Sequence, residues 1–439
     1  MTPLREIIAK VHHASAVICL LLFPASILVL DHVYGVLFVL ATTLGMLLLV
    51  GNVRRLGPSN DDEKGFFISL TLLGVTSVVT SLITQTDYAR ADRFLVLFQV
   101  IPIYWLYSQY RAAQVFIWPG LMLGASIAFL AAIFQVFGPE ALARAQGAVH
   151  VIIFGDISLA MGVMAFAALS GVIVVRRWFF LFPVIALLFG LTASALSLSR
   201  GGWVSLPALC GLLVWFYSRY YSLRRIATAL MLILASLFAL YSLPQSGVEV
   251  RIDDALRELT RYLQSDRVEH PARMTSTGQR LEMWRVAWDM FLDNPLLGEG
   301  WGKFREHAEA MVTAGLINPT ASLYYHPHNQ YLSVLAKGGL LSFFALSFMM
   351  VMPGIIFCRH LRHTAAVKSG AVNSGAYALT GLILLCAFAG FAMTEAIFER
   401  SRTMTFFAFY LAVLMAAVLN PMTQDKPSDP STDLRQRPQ

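Results

Sequence analysis

The stretch HPHNQYLSVLAKGGLLSFFALSFMMVMPGIIF, residues 326–357, decides the fold class of this chain. It begins with polar and titratable side chains and continues from Asn329 as an almost unbroken apolar run. About 20 apolar residues in an α-helix cross the roughly 30 Å of hydrocarbon in a bilayer. The stretch therefore predicts a transmembrane helix with His328 at its water end, where an imidazole can titrate near neutral pH.

Similar apolar runs recur along almost the whole chain. Hydrophobic residues make up 57% of the 439 residues, charged residues make up only 13%, and the mean hydropathy is +0.64. A soluble domain of this size carries far more charge. We therefore predict an all-α polytopic membrane protein with about twelve transmembrane helices. They are expected near residues 14–30, 33–50, 66–84, 94–108, 113–137, 151–175, 178–198, 203–218, 226–243, 329–357, 373–395 and 403–420.

The residues between the apolar runs predict how the chain lies in the membrane. The first run is followed by Asp31 and His32 rather than by a small-residue cleavage site, so we expect a retained helix and no cleaved signal peptide. Lys and Arg in short loops tend to stay cytoplasmic. If both termini are cytoplasmic, seventeen Lys and Arg residues fall on the cytoplasmic side and six fall in the short loops on the opposite side. The long segment 244–328 is then extracytoplasmic.

This topology divides the chain into four predicted regions. A membrane domain of nine helices spans 1–243, a helical loop domain spans 244–328, and a second membrane domain of three helices spans 329–420. The remaining residues, 421–439, are rich in Pro, Asp, Gln and Ser, and this composition is typical of a disordered tail.

Two helices are expected within the loop domain. The first sets Ile252, Leu256, Leu259 and Leu263 at helical spacing, which predicts an amphipathic helix lying over the membrane domain. The second covers RLEMWRVAWDMFLDN at 280–294 and ends at an Asn-Pro pair. Its expected apolar face consists of Leu281, Trp284, Ala287, Trp288 and Phe291. The PLLGEGWGKF sequence that follows indicates a glycine-rich turn or a loop that lines the substrate.

Charge and cysteine content argue against several kinds of site. The formal net charge is +7, but the basic residues on the predicted cytoplasmic side are those that any polytopic membrane protein carries there. The chain carries no nucleic-acid motif. All four cysteines fall in or at the ends of apolar runs and none is paired as CxxC. We expect no metal centre, no disulfide framework and no cofactor.

Three arginines and one lysine are candidates for binding a phosphate group. Arg200, in LSLSRGGW, stands at the outer end of the seventh run, where a guanidinium can bind phosphate oxygens through two parallel hydrogen bonds. Arg280 and Arg285 lie five residues apart on the second external helix and so point in different directions, and we favour Arg280. Lys337, inside the tenth run, needs water, a carboxylate or a phosphate as a partner.

The histidine stretch supplies the remaining candidates. His326 and His328 flank Pro327, and no third metal ligand is apparent beside them. Asn329 is placed to hold substrate hydroxyls, while Gly339 and the glycine before it would let another helix or a lipid chain approach closely.

Two carboxylates deserve separate mention because acids are costly at membrane depth unless they are paired. Asp156 lies within the sixth run and Glu395 near the outer end of the eleventh. Either could partner an arginine, although each is also consistent with a purely structural polar contact.

The combination of these features resembles the O-antigen ligase family, within the larger group of O-antigen polymerases and ligases. The likeness covers nearly the whole chain and rests on the multiple spans, the large late loop, the SRGG turn, the RLEMW…NPLLGEGWGKF run and a His-Asn…Gly motif. His328, Asn329 and Gly339 fit that motif, whereas Ser342 stands where the ligase pattern has Gly, Thr or Tyr. This departure weakens the choice of ligase over polymerase.

The resemblance implies a GT-C type glycosyltransferase in the bacterial inner membrane, with its active site on the periplasmic side and without metal or nucleotide sugar. It implies undecaprenyl-pyrophosphate-linked glycan as the donor, lipid A–core as the acceptor and His328 as the general base. Arg200, Arg280 and Lys337 would bind the pyrophosphate, and Asn329, His326, Arg285 and Gly339 would support the site.

Three other functions remain open from the sequence. An O-antigen polymerase and a protein O-oligosaccharyltransferase share the same chemistry and differ only in the acceptor. A secondary transporter would use Asp156 and Lys337 as an ion-coupled site, but no inverted repeat or pair of broken helices supports it.

Overall fold

The protein is described by a computed structural model that is all-helical in the part of the chain it covers. It describes residues 3–51, 60–85, 92–172, 180–222, 257–264, 270–364 and 374–421, and positions 224, 228, 231, 235 and 268.

The first half of the chain contributes eight α-helices among the described residues. They span Pro3–Ser26 (α1), Val33–Gly51 (α2), Asp61–Ile83 (α3), Val100–Gln109 (α4), Ile117–Phe137 (α5), Val151–Phe166 (α6), Leu181–Leu196 (α7) and Leu206–Tyr217 (α8). Short 3-10 helices over Asp92–Gln99, Arg111–Phe116 and Gly202–Ser205 lead into α4, α5 and α8, and a single helical turn, Leu169–Val172, follows α6.

The second half contributes five longer elements among its described residues. They span Ser276–Asp293 (α9), Phe304–Thr313 (α10), Gln330–Thr364 (α11), Ser374–Phe391 (α12) and Ser401–Leu419 (α13). One 3-10 turn, Pro271–Met274, precedes α9, and two more, Pro319–Leu323 and Ile397–Glu399, lie between the later helices. Residues 257–263 are also helical.

Seven of the twelve predicted spans correspond to helices that are long and apolar enough to cross a membrane. They cover Arg5–Ser26, Val33–Gly51, Asp61–Ile83, Arg111–Phe137, Gln330–Leu361, Ser374–Phe391 and Ser401–Leu419. The protein is therefore a polytopic membrane protein, as its composition indicates.

Four of the other five predicted spans differ from the expectation, and the fifth is described by the structure at only a few positions. Three form shorter apolar helices over Val151–Phe166, Leu181–Leu196 and Gly202–Tyr217, and a helix of 16 residues is only about 24 Å long. The run 94–108 is divided between a 3-10 helix and the ten-residue α4. The run 226–243 and the predicted tail 421–439 lie almost entirely outside the described residues. Twelve spans thus stays a prediction.

The centre of the bundle is formed by α12 and α13, whose side chains are buried almost throughout. The helix α12 packs against α11 and α6, and α13 packs against α4 and α12. Trp118 on α5 stacks on Tyr377 of α12 with ring centroids 4.6 Å apart, and its indole donates a hydrogen bond to Thr380. These contacts hold the first turns of α12 in the middle of the protein.

The loop domain has a small core of its own. Met283, Val286 and Met290 of α9 pack with Phe304 and Ala308 of α10. The predicted apolar face of α9 was only partly right, because Ala287 is buried but Trp288 is 49% exposed. The buried face is set instead by the neighbours α10 and α11.

The first predicted loop helix also differs from the expectation in its contacts. Leu259 and Leu263 are exposed rather than buried, while Tyr262 donates a hydrogen bond to Glu282 of α9 at 2.6 Å. Its polar side therefore contacts α9. Ile252 and Leu256 lie outside the described residues.

The helix α11 is broken at Gly339, whose φ of 60° and ψ of −164° are not helical. The backbone N–H groups of Leu340 and Leu341 donate to the carbonyls of Pro295 and Leu296, at 2.9 and 3.2 Å. In return, the N–H groups of Glu299 and the glycine after it donate to carbonyls of α11. The glycine-rich turn that follows α9 thus satisfies the groups freed by the break.

Glycine is required on both sides of this contact. A Cβ on Gly339 would lie 2.3 Å from the backbone of Leu296, and one on Gly298 would lie 2.4 Å from the backbone of Lys337. Gly298 also has a positive φ of 68°. The predicted close approach at Gly339 is present, and the neighbour is the PLLGEG turn.

Candidate active site

The loop that carries His328 is fixed from two directions before α11 begins. The indole of Trp284 on α9 donates to the carbonyl of Pro327 at 3.0 Å. From the other side, the N–H of Gln330 donates to the carbonyl of Ala392 at 2.7 Å, just beyond α12. His328 itself has φ 48°, a left-handed conformation that is costly for a residue with a Cβ and is kept only where surrounding contacts impose it.

His328 is paired with a buried carboxylate. Its Nδ1 lies 2.7 Å from Oε2 of Glu395, and the glutamate side chain is only 1% exposed. Burial by itself raises the pKa of Glu395, but the hydrogen bond from His328 and the positive charge of Arg400 hold it well below its usual value. A carboxylate can only accept, so Nδ1 donates and Nε2 of His328 is left as the nitrogen that can accept a proton.

His326 lies on the other side of the same carboxylate and differs from His328 in its hydrogen bonds. Nη2 of Arg400 donates to Nε2 of His326 at 3.0 Å, and Nε of Arg400 lies 3.5 Å from Glu395. Burial lowers the pKa of His326 to about 3, despite the attraction of Glu395. His326 is therefore neutral at physiological pH and serves as a hydrogen-bond acceptor.

A cavity of about 500 Å³ opens beside His328 and is lined by basic side chains. Arg200 comes from the turn after α7 and Arg280 from the first turns of α9, and both line this cavity together with His328. Nη2 of Arg200 lies 3.4 Å from the hydroxyl of Ser276, at the start of α9. Two arginines that are 80 residues apart in the sequence thus reach the same cavity as the histidine.

A third arginine in the cavity wall supports the turn that carries Arg200. Nε and Nη2 of Arg144 donate to the carbonyls of Ser197 and Leu198 at 2.9 and 3.2 Å. Leu198 has φ 54°, again in the left-handed region. Arg144 therefore stabilises a strained backbone two residues before Arg200.

The segment with these residues matches a known family. The model of the O-antigen ligase family matches residues 185–347, which include Arg200, Arg280 and His328. This segment of the chain is similar to the O-antigen ligase family. The members of this family are ligases and polymerases of the glycosyltransferase type, and the family and the seven apolar helices together indicate a membrane-embedded protein.

The chain is also similar to a bacterial protein over most of its length. It is 26% identical over 348 residues to an uncharacterized protein of Haemophilus influenzae, and the alignment covers 77% of this chain and 84% of the relative.

Other predicted site residues lie outside the cavity. Lys337 is buried within α11, where its Nζ pairs with Glu399 at 2.8 Å, so its charge is used inside the protein. Arg285 is directed to Glu282 at 3.5 Å rather than to the cavity, in agreement with the preference for Arg280. Neither residue is among those that line the cavity with His328.

Asn329, Gly339 and Asp156 have structural positions. Oδ1 of Asn329 accepts a hydrogen bond from the N–H of Leu332 and so caps the start of α11. Gly339 forms the break in that helix. Asp156 on α6 is fully buried, and within the described residues neither of its carboxylate oxygens has a hydrogen-bond partner.

Sequence reasoning treated several cavity residues as ordinary. Arg144 was counted only as a loop charge, and Trp284 only as part of an apolar face. His150 and Tyr324 were not singled out at all, although both line the cavity. The Tyr324 and His328 rings meet edge to face at 5.4 Å. Tyr324 lies only four residues before His328, which is the one signal in the sequence that could have identified it.

The expectation that no third ligand accompanies His326 and His328 was wrong. Ligand atoms of the two imidazoles and Glu395 lie within 4.8 Å of one another, because α12 returns the chain to the histidine loop. The guanidinium of Arg400 already contacts both Glu395 and His326. A cation is thus supplied by the protein itself, and this arrangement fits a hydrogen-bonded base better than a metal centre.

A second cluster of this kind lies on the outer side of the loop domain. His307 on α10 has Nδ1 3.0 Å from Glu299 and Nε2 2.9 Å from Asp289. The hydrogen bond to Glu299, helped by Asp289, raises the pKa of His307 to about 9 although burial opposes the shift. This imidazole is protonated at neutral pH and links α10 to α9.

Proposed function

We propose that this protein transfers a glycan from undecaprenyl pyrophosphate to a sugar hydroxyl of lipid A–core, at the periplasmic face of the bacterial inner membrane. The observation that carries the proposal is one cavity that His328, paired with Glu395 behind it, lines together with Arg200 and Arg280. A base and two fixed cations in one cavity suit the transfer of a group that leaves as pyrophosphate.

The first part of the proposed reaction is proton removal from the acceptor. Nε2 of His328 takes the proton of the sugar hydroxyl, while Glu395 holds Nδ1 and stabilises the imidazolium that forms. The acceptor oxygen forms a bond to the anomeric carbon of the donor glycan. The bond from that carbon to the pyrophosphate oxygen breaks, and its electron pair leaves with undecaprenyl pyrophosphate. Attack from the opposite face inverts the anomeric configuration.

The second part is stabilisation of the leaving group. Negative charge grows on the pyrophosphate as the bond breaks, so a fixed cation binds the transition state more strongly than the ground state. Arg200 and Arg280 are the residues proposed for this role, because both line the cavity beside His328. A displacement at the anomeric carbon that is assisted by an imidazole base requires no metal ion. We also propose that the protein has the GT-C type of architecture.

The position of the cavity at one end of the bundle agrees with the proposed periplasmic side. His328 precedes the first residue of α11, whereas Arg359 lies near the other end of this helix and pairs with Asp62 at 2.7 Å. Basic residues collect at the cytoplasmic ends of spans. The cavity then opens to the side from which a translocated lipid-linked glycan arrives.

A reconstituted transfer reaction tests the proposal. Purified protein in liposomes receives undecaprenyl-pyrophosphate glycan and lipid A–core in the presence of EDTA, and mass spectrometry follows which lipid gains mass. Glycan on lipid A–core is the expected product. A longer glycan still on undecaprenyl pyrophosphate would establish the polymerase instead, and glycan on an added pilin-like protein would establish protein transfer. Absence of any covalent product with an active donor would contradict all three.

A further inference from the structure

The outer face of α9 carries a row of large apolar side chains that the loop domain does not bury. Trp288, Leu292 and Leu296 follow each other at intervals of four residues and are 49%, 59% and 67% exposed. Positions four apart lie on the same side of a helix, so Trp288 and Leu292 share one face of α9, and Leu296 follows three residues past the helix end. We call these three residues the α9 strip. An exposed strip of this kind marks a surface that contacts something apolar.

The α9 strip ends directly against a membrane helix. The carbonyl of Leu296 accepts a hydrogen bond from the N–H of Leu341 on α11 at 3.2 Å. On α11, Leu341 is 42% exposed and Phe344 is 64% exposed, and both belong to the candidate membrane span Gln330–Leu361. The apolar surface of the strip is therefore continuous with a surface that faces lipid.

The length of α11 indicates the depth at which the two surfaces meet. From Leu341 to Leu361 the helix rises over 20 residues, or about 30 Å, which is roughly the thickness of the hydrocarbon core. Arg359, at the inner end of this length, is half exposed and marks the cytoplasmic boundary. Leu341 then lies at the outer hydrocarbon boundary, and Leu296 lies at the same level.

We propose that the α9 strip is a membrane-contact surface, in which Trp288, Leu292 and Leu296 insert into the outer leaflet between phospholipid headgroups and acyl chains. Tryptophan is enriched at this depth because its ring is apolar while its N–H can bond to water or headgroups. An amphipathic helix in the interface buries one apolar face and keeps its polar face in water. Here the polar face includes Asp289, which pairs with His307.

Phospholipid is a better occupant of the α9 strip than a second copy of the chain. The strip is a narrow row that begins on α9 and joins the lipid-facing side of α11 through two backbone hydrogen bonds. A protein placed on the strip would have to displace lipid from α11 as well. The strip would thus anchor the loop domain to the bilayer at the C-terminal end of α9. Arg280 and Trp284, nearer the N-terminal end of the same helix, line the cavity.

Site-directed spin labelling tests this inference without any measurement of glycosyl transfer. Cys19, Cys210, Cys358 and Cys386 are replaced by alanine, and Leu292→Cys is labelled in nanodiscs of defined phospholipid. Accessibility to oxygen, which concentrates in lipid, is compared with accessibility to a water-soluble nickel chelate. Phe344→Cys is the lipid control, and Glu306→Cys, on α10 with a side chain 70% exposed, is the water control.

The expected result is an oxygen-to-nickel accessibility ratio at Leu292 close to that at Phe344 and well above that at Glu306. A ratio equal to that at Glu306 would overturn the inference, and so would low accessibility to both reagents, which indicates cover by protein. If the cysteine-free protein does not fold, the wild-type protein is reconstituted with a diazirine-bearing phospholipid and irradiated. Lipid adducts are then expected in peptides that contain 288–296, and their absence there, with adducts present at 341–344, contradicts the proposal.

Discussion

Two histidines beside α9 show how the number of carboxylate partners decides what an imidazole can do. His328 uses one nitrogen to donate to Glu395 at 2.7 Å, and its other nitrogen is available at a cavity. His307 uses both nitrogens, toward Glu299 and Asp289, and its pKa is raised to about 9. The first arrangement holds a base ready to accept a proton, whereas the second holds a permanent cation that links two helices.

The largest expected effect is the difference in transfer rate between alanine substitutions at the two histidines. His328→Ala should lower the rate of glycan transfer by about 100- to 10,000-fold, because the general base is lost. His307→Ala is the matched control and should keep most of the transfer rate, since it removes only a contact between α9 and α10. Initial rates in the liposome assay measure both. Equal losses in the two variants would mean that the difference in partners has no bearing on catalysis.

The second prediction extends the comparison to two arginines of α9 itself. Arg280→Ala should lower the rate by about 100- to 1000-fold, the usual effect of removing one fixed donor to a developing negative charge. Arg285→Ala, which removes a half-exposed partner of Glu282, should have little effect on the rate. Turnover numbers at saturating donor measure this difference.

Arg200→Ala should behave like Arg280→Ala, because Arg200 lines the same cavity. Near-normal turnover in either cavity variant would remove that arginine from the proposed mechanism.

The third prediction concerns the carboxylates that hold the two imidazoles. Glu395→Gln keeps the size of the side chain but removes its charge, so Nδ1 of His328 loses a hydrogen bond to a charged group. Such bonds contribute about 1.5–3 kcal/mol, which corresponds to a loss of about 10- to 100-fold in kcat. The KM for the donor should stay unchanged, because Glu395 is not among the residues that line the cavity.

Glu299→Gln is the control for this prediction at the other histidine. It should leave kcat and KM unchanged while lowering the unfolding temperature. A rise in the donor KM of Glu395→Gln without a fall in kcat would show that the glutamate acts on binding rather than on the base.

The smallest predicted effect is a pH dependence of stability that belongs to His307. The pKa of His307 is raised from an ordinary value near 6.5 to about 9, so its stabilising contribution is fully present below pH 6.5 and is lost as pH rises through 9. A loss of about 1 kcal/mol lowers the unfolding temperature of a large domain by about 2–4 °C. Thermal unfolding in nanodiscs between pH 6 and pH 10 should show this extra decline in the wild type and not in His307→Gln. Parallel curves would contradict the ion-pair role.

The sequence predicted the class of the protein and the place of His328 in the chain because both depend on local signals. Apolar runs of sufficient length identify membrane helices without knowledge of packing. The HPHN stretch stands at the start of such a run, so the position of His328 just before a membrane helix follows directly. Arg200 and Arg280 were found for the same reason, since each stands next to a recognisable turn.

The partners of these residues could not be predicted because they come from distant parts of the chain. Glu395 lies 67 residues after His328 and reaches it only because α12 returns the chain to the outer side. Lys337 resembled a phosphate ligand until its pairing with Glu399, 62 residues away, was visible. Arg144 contacts carbonyls more than 50 residues away. Each pairing depends on helix packing, which apolar periodicity does not specify.

The break of α11 at Gly339 has a consequence for how the protein is built. Two N–H groups and two carbonyls of this membrane helix are satisfied by the turn 295–300 rather than by the helix itself. In a bilayer, unsatisfied backbone groups cost several kcal/mol each, so α11 reaches its native form only after that turn is in place. The turn precedes α11 in the sequence and leaves the ribosome first. Synthesis from the N-terminus therefore delivers the two parts in the order in which assembly needs them.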